Sequence, residues 1–176
     1  MRTLDYYVAT SIDGAIAADD GSFDHFLFDE KHVHDFFADL EAYGTVVMGR
    51  ATYEVGLAAG KTNPYPWLET VVYSKSLGAS PDEAVRVVAD DAVESVRALK
   101  AEDGKPIWLC GGSKLAASLY EADLIDRLIV KINPVLSGGG LSLVGASGET
   151  KRYALVRQQT YASGIVVLTY ERALAN

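Results

Sequence analysis

The chain is predicted to fold as an α/β domain whose mostly parallel central sheet, flanked by helices, ends in an antiparallel C-terminal hairpin. Three observations predict this. Apolar runs of strand length alternate with segments of helical period up to about residue 130, after which strand-like runs follow one another directly. Several of the apolar runs pass through glycine straight into a helical pattern, most clearly at Cys110, Gly111, Gly112 and Ser113. Crossover helices between parallel strands produce the first pattern, and a terminal antiparallel edge produces the second. The 176 residues are enough for one domain with a substantial core, and neither an internal repeat nor a long linker divides residues 1–176.

Residues 4–12, rich in Tyr, Val and Thr, read as a first strand ending at Asp13 and Gly14. A polar Gly/Asp-rich loop covers 17–24. The segment 29–43 places Val33, Phe36, Phe37, Leu40 and Tyr43 on one helical face, with Asp29 as N-cap and Phe28 spaced to staple against Val33. A buried strand at 45–48 runs into Gly49 and a short helix that stops near Gly56. Strands follow at 69–73 and 84–89, and Asp91 with Glu94 opens a helix using Val93, Val96 and Leu99. The apolar run 107–110 is that of a strand covered on both faces, and Ser113 suits the cap of the next helix. A strand at 125–133, a loop at Gly138–Gly140, and strands at 153–161 and 165–170 around Ala162, Ser163 and Gly164 complete the order.

Bulk properties narrow the function. A formal charge of −8 offers no electrostatic footprint for nucleic acid or an anionic membrane, but leaves room for a local cationic pocket. Cys110 is the only cysteine, so no internal disulfide is possible and a reducing compartment fits. Neither a membrane-length apolar run nor a signal-peptide pattern is present, so the expected setting is the cytoplasm. His25, His32 and His34 lack metal-ligand spacing and read as solvated histidines, and Cys110 reads as an inert core thiol.

Three strand ends carry residues suited to anions: Gly49, Arg50 and Thr52; Ser74 and Lys75; Gly111, Gly112 and Ser113. Each alone has a plainer reading, a solvated charge or a tight turn without ligand. Ligands of open α/β sheets sit at the carboxyl ends of strands, so three such ends together predict a nucleotide cleft. The single G-x-G-x-x-G loop of a Rossmann domain is missing.

The ordered segments Ser11–Ala17, Val46–Glu54, Val72–Lys75 and Ile107–Leu115 resemble the dihydrofolate-reductase-like family over nearly the whole chain. Asp123–Asp126 with Asn133–Gly140 is most similar to the branch holding the C-terminal reductase domain of the bifunctional riboflavin-biosynthesis deaminase/reductase. The resemblance implies a dihydrofolate-reductase-like fold and an NADPH-dependent reductase, acting on a small heterocyclic or carbonyl substrate and assembled as a homodimer. It also implies roles for single residues. Gly49, Arg50 and Thr52 would follow the NADPH phosphates, and Ser74 and Lys75 would hold the adenosine 2′-phosphate. Gly111, Gly112, Ser113 and Leu115 would line the pyrophosphate and nicotinamide, and Ala9 and Ile16 would contact the nicotinamide face.

Departures from folate reductases fall on the substrate side. Ala116 stands where those enzymes carry an aromatic residue, Phe23 to Phe26 replace a tryptophan segment, and Lys131 replaces a small hydroxyl residue. Asp24 and Lys131 are the candidates for catalysis. Asp24 also reads as a turn residue and Asp29 as a cap, while Asp13 reads as a turn residue rather than a catalyst. A true dihydrofolate reductase and a non-catalytic NADPH-binding module stand as alternatives.

Overall fold

The computed structural model describes residues 1–145 and 150–173. In chain order the elements are β1 (Leu4–Thr10), β2 (Ala15–Ala17), α1 (Glu30–Leu40), β3 (Thr45–Gly49), α2 (Arg50–Ala58), β4 (Glu69–Tyr73), β5 (Val85–Val88), α3 (Ala92–Ala101), β6 (Ile107–Gly111), α4 (Ser113–Glu121), β7 (Arg127–Ile132), β8 (Leu141–Ser142), β9 (Tyr153–Thr160) and β10 (Val166–Arg172).

The main sheet has eight strands in the order β5-β4-β3-β6-β1-β7-β10-β9. Pairing is parallel from β5 through β7 and antiparallel where β10 joins β7 and β9. Residues alternate between two apolar layers, as strand geometry requires. Tyr6, Val47, Val71 and Leu109 face Val96 and Leu99 of α3 and Leu115 and Leu119 of α4. Tyr7, Val46, Val72 and Trp108 face Leu40 of α1 and Tyr53 of α2. Trp108 is 2% exposed, with its indole N–H donating to the carbonyl of Tyr7 at 3.1 Å, so this large apolar body is buried with its polar handle satisfied.

Several local expectations change in the structure. The first strand stops at Thr10 because the chain turns at once: Ser11 N–H donates to the carbonyl of Ala15, and Gly14 takes φ 83°. The loops the sequence leaves irregular contain β2 and β8, which pair antiparallel as a small second sheet. The staple does not form, since Phe28 is 83% exposed. Gly112, not Ser113, is the N-cap of α4, and the Ser113 hydroxyl instead donates to the carbonyl of Ser142 at 2.6 Å. His32 is not solvated but 5% exposed. Among the described residues no helix is long and apolar enough to cross a membrane, and no group of three or more His, Cys, Asp or Glu could hold a metal ion.

Candidate active site

Helix N-termini carry N–H groups with no partner inside the helix, and the four helices of the described residues meet this in two ways. Asp29 caps α1, accepting from His32 N–H at 2.8 Å, and Asp91 caps α3 through Val93 and Glu94. The helices α2 and α4 begin on Gly49 and Gly112, and neither has a side-chain cap bond. Both glycines line one cleft of about 1740 Å³. That is well above the roughly 300–1,000 Å³ of an ordinary ligand pocket, so it has room for a dinucleotide and a second ligand. Uncapped N–H groups and two helix dipoles thus converge on the place where an anion would sit.

Around these termini the cleft gathers every residue the resemblance assigns to the cofactor. Arg50 and Thr52 lie on the first turn of α2, and Ser74 and Lys75 directly follow β4. Gly111, Ser113 and Leu115 come from the β6–α4 junction, and Ala9 and Ile16 from the end of β1 and from β2. Thr52 Oγ1 would lie 3.4 Å from a Cβ placed on Gly111 and 3.3 Å from one placed on Gly112. Glycine there keeps the backbone open beside the Thr52 hydroxyl. Gly140 meets a harder limit, because a Cβ on it would come within 2.2 Å of the Ala17 carbonyl oxygen. This residue lets the loop before β8 close on β2 at the cleft rim.

Ser76, unremarked in the sequence, also lines the cleft, and its hydroxyl accepts from Arg50 at 2.9 Å. Ser74 Oγ accepts the N–H groups of Ser76 at 3.2 Å and Leu77 at 3.0 Å, shaping the turn that carries Lys75. No local motif announces Ser76, whose part depends on Arg50 across two strand ends. Cys110 also lines the cleft, and burial pushes its thiol up to about 12, which fits an unreactive group.

The side toward α1 is assembled from distant segments. Phe23 and Phe26 line the cleft, while Asp24 between them is exposed and is not part of the cleft wall. Lys131 pairs in register with Ala9 on the neighbouring strand, and its Nζ donates to the carbonyl of Leu27 at 3.0 Å. Burial holds the Lys131 ammonium below its ordinary pKa, partly offset by Asp29. Asn133, fully buried, accepts from Leu27 N–H at 3.1 Å and donates to the Thr10 carbonyl at 3.1 Å, so the 18–28 loop is tied to the ends of β1 and β7. Asp13 ties the opposite rim, accepting the N–H groups of Ser137 at 2.9 Å and Gly138 at 2.8 Å. Those bonds, with one from the Ser11 hydroxyl as the largest cause, hold its carboxyl well below the usual range.

His32, on the first turn of α1, stacks on Phe36 at 6.3 Å and meets the ring of Tyr161 edge-on at 5.3 Å. Burial first, and then the Lys131 charge, lower its pKa to about 4, so the imidazole is neutral at pH 7. Neither Nδ1 nor Nε2 has a hydrogen-bond partner among the described residues.

Comparison with known proteins fits this arrangement. Residues 2–167 match the family of the RibD C-terminal domain. The uncharacterized protein YwjB of Bacillus subtilis is 33% identical over 138 residues, covering 78% of this chain and 79% of YwjB. The riboflavin biosynthesis protein RibD of Mycobacterium tuberculosis is 33% identical over 156 residues, 80% of this chain but only 44% of that protein. The structure superposes on dihydrofolate reductase from Enterococcus faecalis complexed with NADP(H), with a TM-score of 0.71 at 21% identity, over 97% of this chain and 96% of that one.

Proposed function

The chain belongs to the RibD C-terminal domain family and has a dihydrofolate-reductase-like fold, and from that premise we propose that it is an NADPH-dependent reductase acting on a small heterocyclic or carbonyl substrate. The observation that carries the reading is the pair of uncapped helix termini, α2 and α4, opening on one cleft beside Arg50 and Lys75. The N–H groups behind Gly49 and Gly112 receive the diphosphate, while Arg50, Ser76 and Lys75 receive the 2′-phosphate that distinguishes NADPH from NADH. Ala9, Ile16 and Leu115 supply apolar and backbone surface for the nicotinamide.

NADPH, when bound, supplies the hydride. The protein's own work is positioning: apolar walls exclude water from the transfer, and the α1 side holds the substrate against the cofactor. Lys131, whose Nζ is held on the Leu27 carbonyl, does not line the cleft and has no assigned part in the transfer. Asp24 is exposed and outside the cleft wall, so it has no part in this reading.

Titration calorimetry with NADPH and NADH tests the assignment. Lys75→Ala should weaken NADPH by roughly 1.5–3 kcal/mol, the worth of a charge-assisted contact, and leave NADH nearly unchanged. Equal affinity of the unaltered protein for the two nucleotides would contradict it.

The same reading takes the protein as a cytoplasmic homodimer. The strand β9 supports the pairing, since it lies at the sheet edge with Leu155 50% and Val156 52% exposed. A monomer by light scattering would contradict the dimer.

A further inference from the structure

The strand β1 serves two cavities. Val8 and Ala9, near its carboxyl end, line the large cleft. At its amino end, where Asp5 pairs in register with Arg127 of β7, a separate groove of about 310 Å³ opens between the C-terminal part of α1 and the strands β7, β10 and β9. That volume suits a small organic molecule, and Ile129 and Val167 give the groove an apolar floor.

A buried carboxylate is tolerated when it is paired and fully hydrogen-bonded, and Asp5 on the groove wall is neither. Its side chain is 3% exposed. Oδ2 accepts from the Tyr43 hydroxyl at 3.0 Å, but Oδ1 has no hydrogen bond of good geometry among the described residues. The Thr3 hydroxyl, near enough to lower the pKa of this carboxyl, is itself without one. Arg127 stands 3.9 Å from Oδ2 and is held on Glu171 at 2.9 Å. Burial raises the Asp5 pKa in spite of Tyr43 and Arg127, as expected of a carboxylate short of positive charge.

The rest of the groove has the same sign. Three carboxylates, Asp5, Asp39 and Glu171, face two guanidinium groups. Arg157 lies 3.8 Å from Asp39 and gives an N–H to Gln159 at 3.1 Å, so both arginines are engaged. Asp39 sits in the last turn of α1, which holds no basic residue, so the negative end of the helix dipole adds to its charge. Lys105 reaches the Glu41 carbonyl at 3.0 Å but does not line the groove. An anion would meet two carboxylates and a helix C-terminus here. A metal ion finds no ligand set, since among the described residues no group of three or more His, Cys, Asp or Glu could hold one. An organic cation fits: planar N–H donors match carboxylates, and a short apolar body can lie on Ile129 and Val167.

We propose that this groove is a binding site for a small organic cation, an alkylguanidinium with a short apolar body, held by Asp5 and Asp39. The site is separate from the nucleotide cleft and does not depend on the function proposed for it.

The experiment uses the full chain and two probes of matched shape, n-butylguanidinium and the neutral n-butylurea. Calorimetry should show the guanidinium binding at least about tenfold more tightly, the scale of one hydrogen bond to a charged group. The methyl resonances of Ile129 and Val167 should move on adding it. Saturating NADPH should leave its affinity unchanged, because the two cavities lie at opposite ends of β1. Asp5→Asn keeps the shape of the side chain, removes its charge, and should abolish the preference. Asp39→Asn should reduce it several-fold, and provides a second route should Asp5→Asn fail to fold. Equal binding of the urea, binding of neither probe, or a preference intact in both variants would overturn the proposal. So would competition with NADPH, which would put the cation in the large cleft, or a crystal structure with a second copy of the chain seated in the groove.

Discussion

Among the described residues the four helices fall into two pairs, and the proposed function rests on the difference between them. The helices α1 and α3 start on Asp29 and Asp91, whose carboxylates accept the first free N–H groups. The helices α2 and α4 start on Gly49 and Gly112 and leave those groups without a side-chain cap, at the wall of the large cleft. A capped terminus gains roughly 1 kcal/mol and is finished. An uncapped one gives up that gain and stays available to an anion. Two such termini side by side are the physical ground for proposing a phosphate site there, before any charged side chain is counted.

Exchanging the two kinds of terminus gives the largest expected effect. Gly49 has φ −82° and ψ 165°, and a Cβ there would meet nothing closer than 3.9 Å, so aspartate fits as an N-cap. Gly49→Asp should hold or slightly raise the melting temperature. It should also cost several kcal/mol of NADPH binding, on the order of a hundredfold or more in Kd, because a carboxylate would occupy the phosphate position. The converse change, Asp29→Ala, should cost about 1 kcal/mol of stability and leave NADPH affinity unaltered. If Gly49→Asp bound NADPH normally, the distinction between the pairs would carry no functional meaning.

A second contrast sets the cofactor end against the α1 end through pH. The pKa of His32 falls from 6.5 to about 4 on folding, so the unfolded chain takes up a proton that the folded chain refuses. Its stabilising contribution is complete above pH 6.5 and is lost as pH falls toward about 4. The loss is on the order of 2–3 kcal/mol. Chemical denaturation at pH 7 and pH 4.5 should show a steeper decline for the unaltered protein than for His32→Leu. Parallel declines would mean that His32 is not buried as a neutral ring.

A smaller effect concerns Asp5, which is 2% exposed and whose pKa is raised chiefly by burial, against the opposing bond from Tyr43. A raised carboxyl favours folding at low pH and loses that contribution as pH rises through its folded pKa. Asp5→Asn should therefore compare best with the unaltered protein near pH 7, and its relative advantage should shrink by pH 4. The difference should be about 1 kcal/mol or less, because Tyr43 and Arg127 offset part of the burial cost.

The two ends of the cleft also differ in how far they could be read from sequence. That the residues proposed for the cofactor share one cleft was legible because its parts are local. A glycine, a charged or hydroxyl residue and the start of a helix occur within a few residues at Gly49–Thr52 and again at Gly111–Ser113, and their types carry the chemistry. Its arrangement around the parallel strands follows from the strand–helix alternation. At the α1 end the Asp29 cap was legible, but the burial of His32 was not, because it comes from packing between distant segments. His32 sits in a helix whose apolar pattern favoured Val33 and Phe37, yet Tyr161 and Phe36 enclose the histidine, and Phe37 is left 46% exposed. Lys131 acquires its setting from Leu27 across the strand end. The strands β2 and β8 are too short to show a period, and their pairing is decided by the close approach of Gly140 to Ala17.

The most direct test is a crystal structure of the protein with NADPH. The diphosphate is expected against the N–H groups behind Gly49 and Gly112, the 2′-phosphate beside Arg50, Ser76 and Lys75, and the nicotinamide between Ala9 and Leu115, facing the α1 side. A nucleotide bound elsewhere, or one whose phosphates avoid both uncapped helix termini, would contradict it.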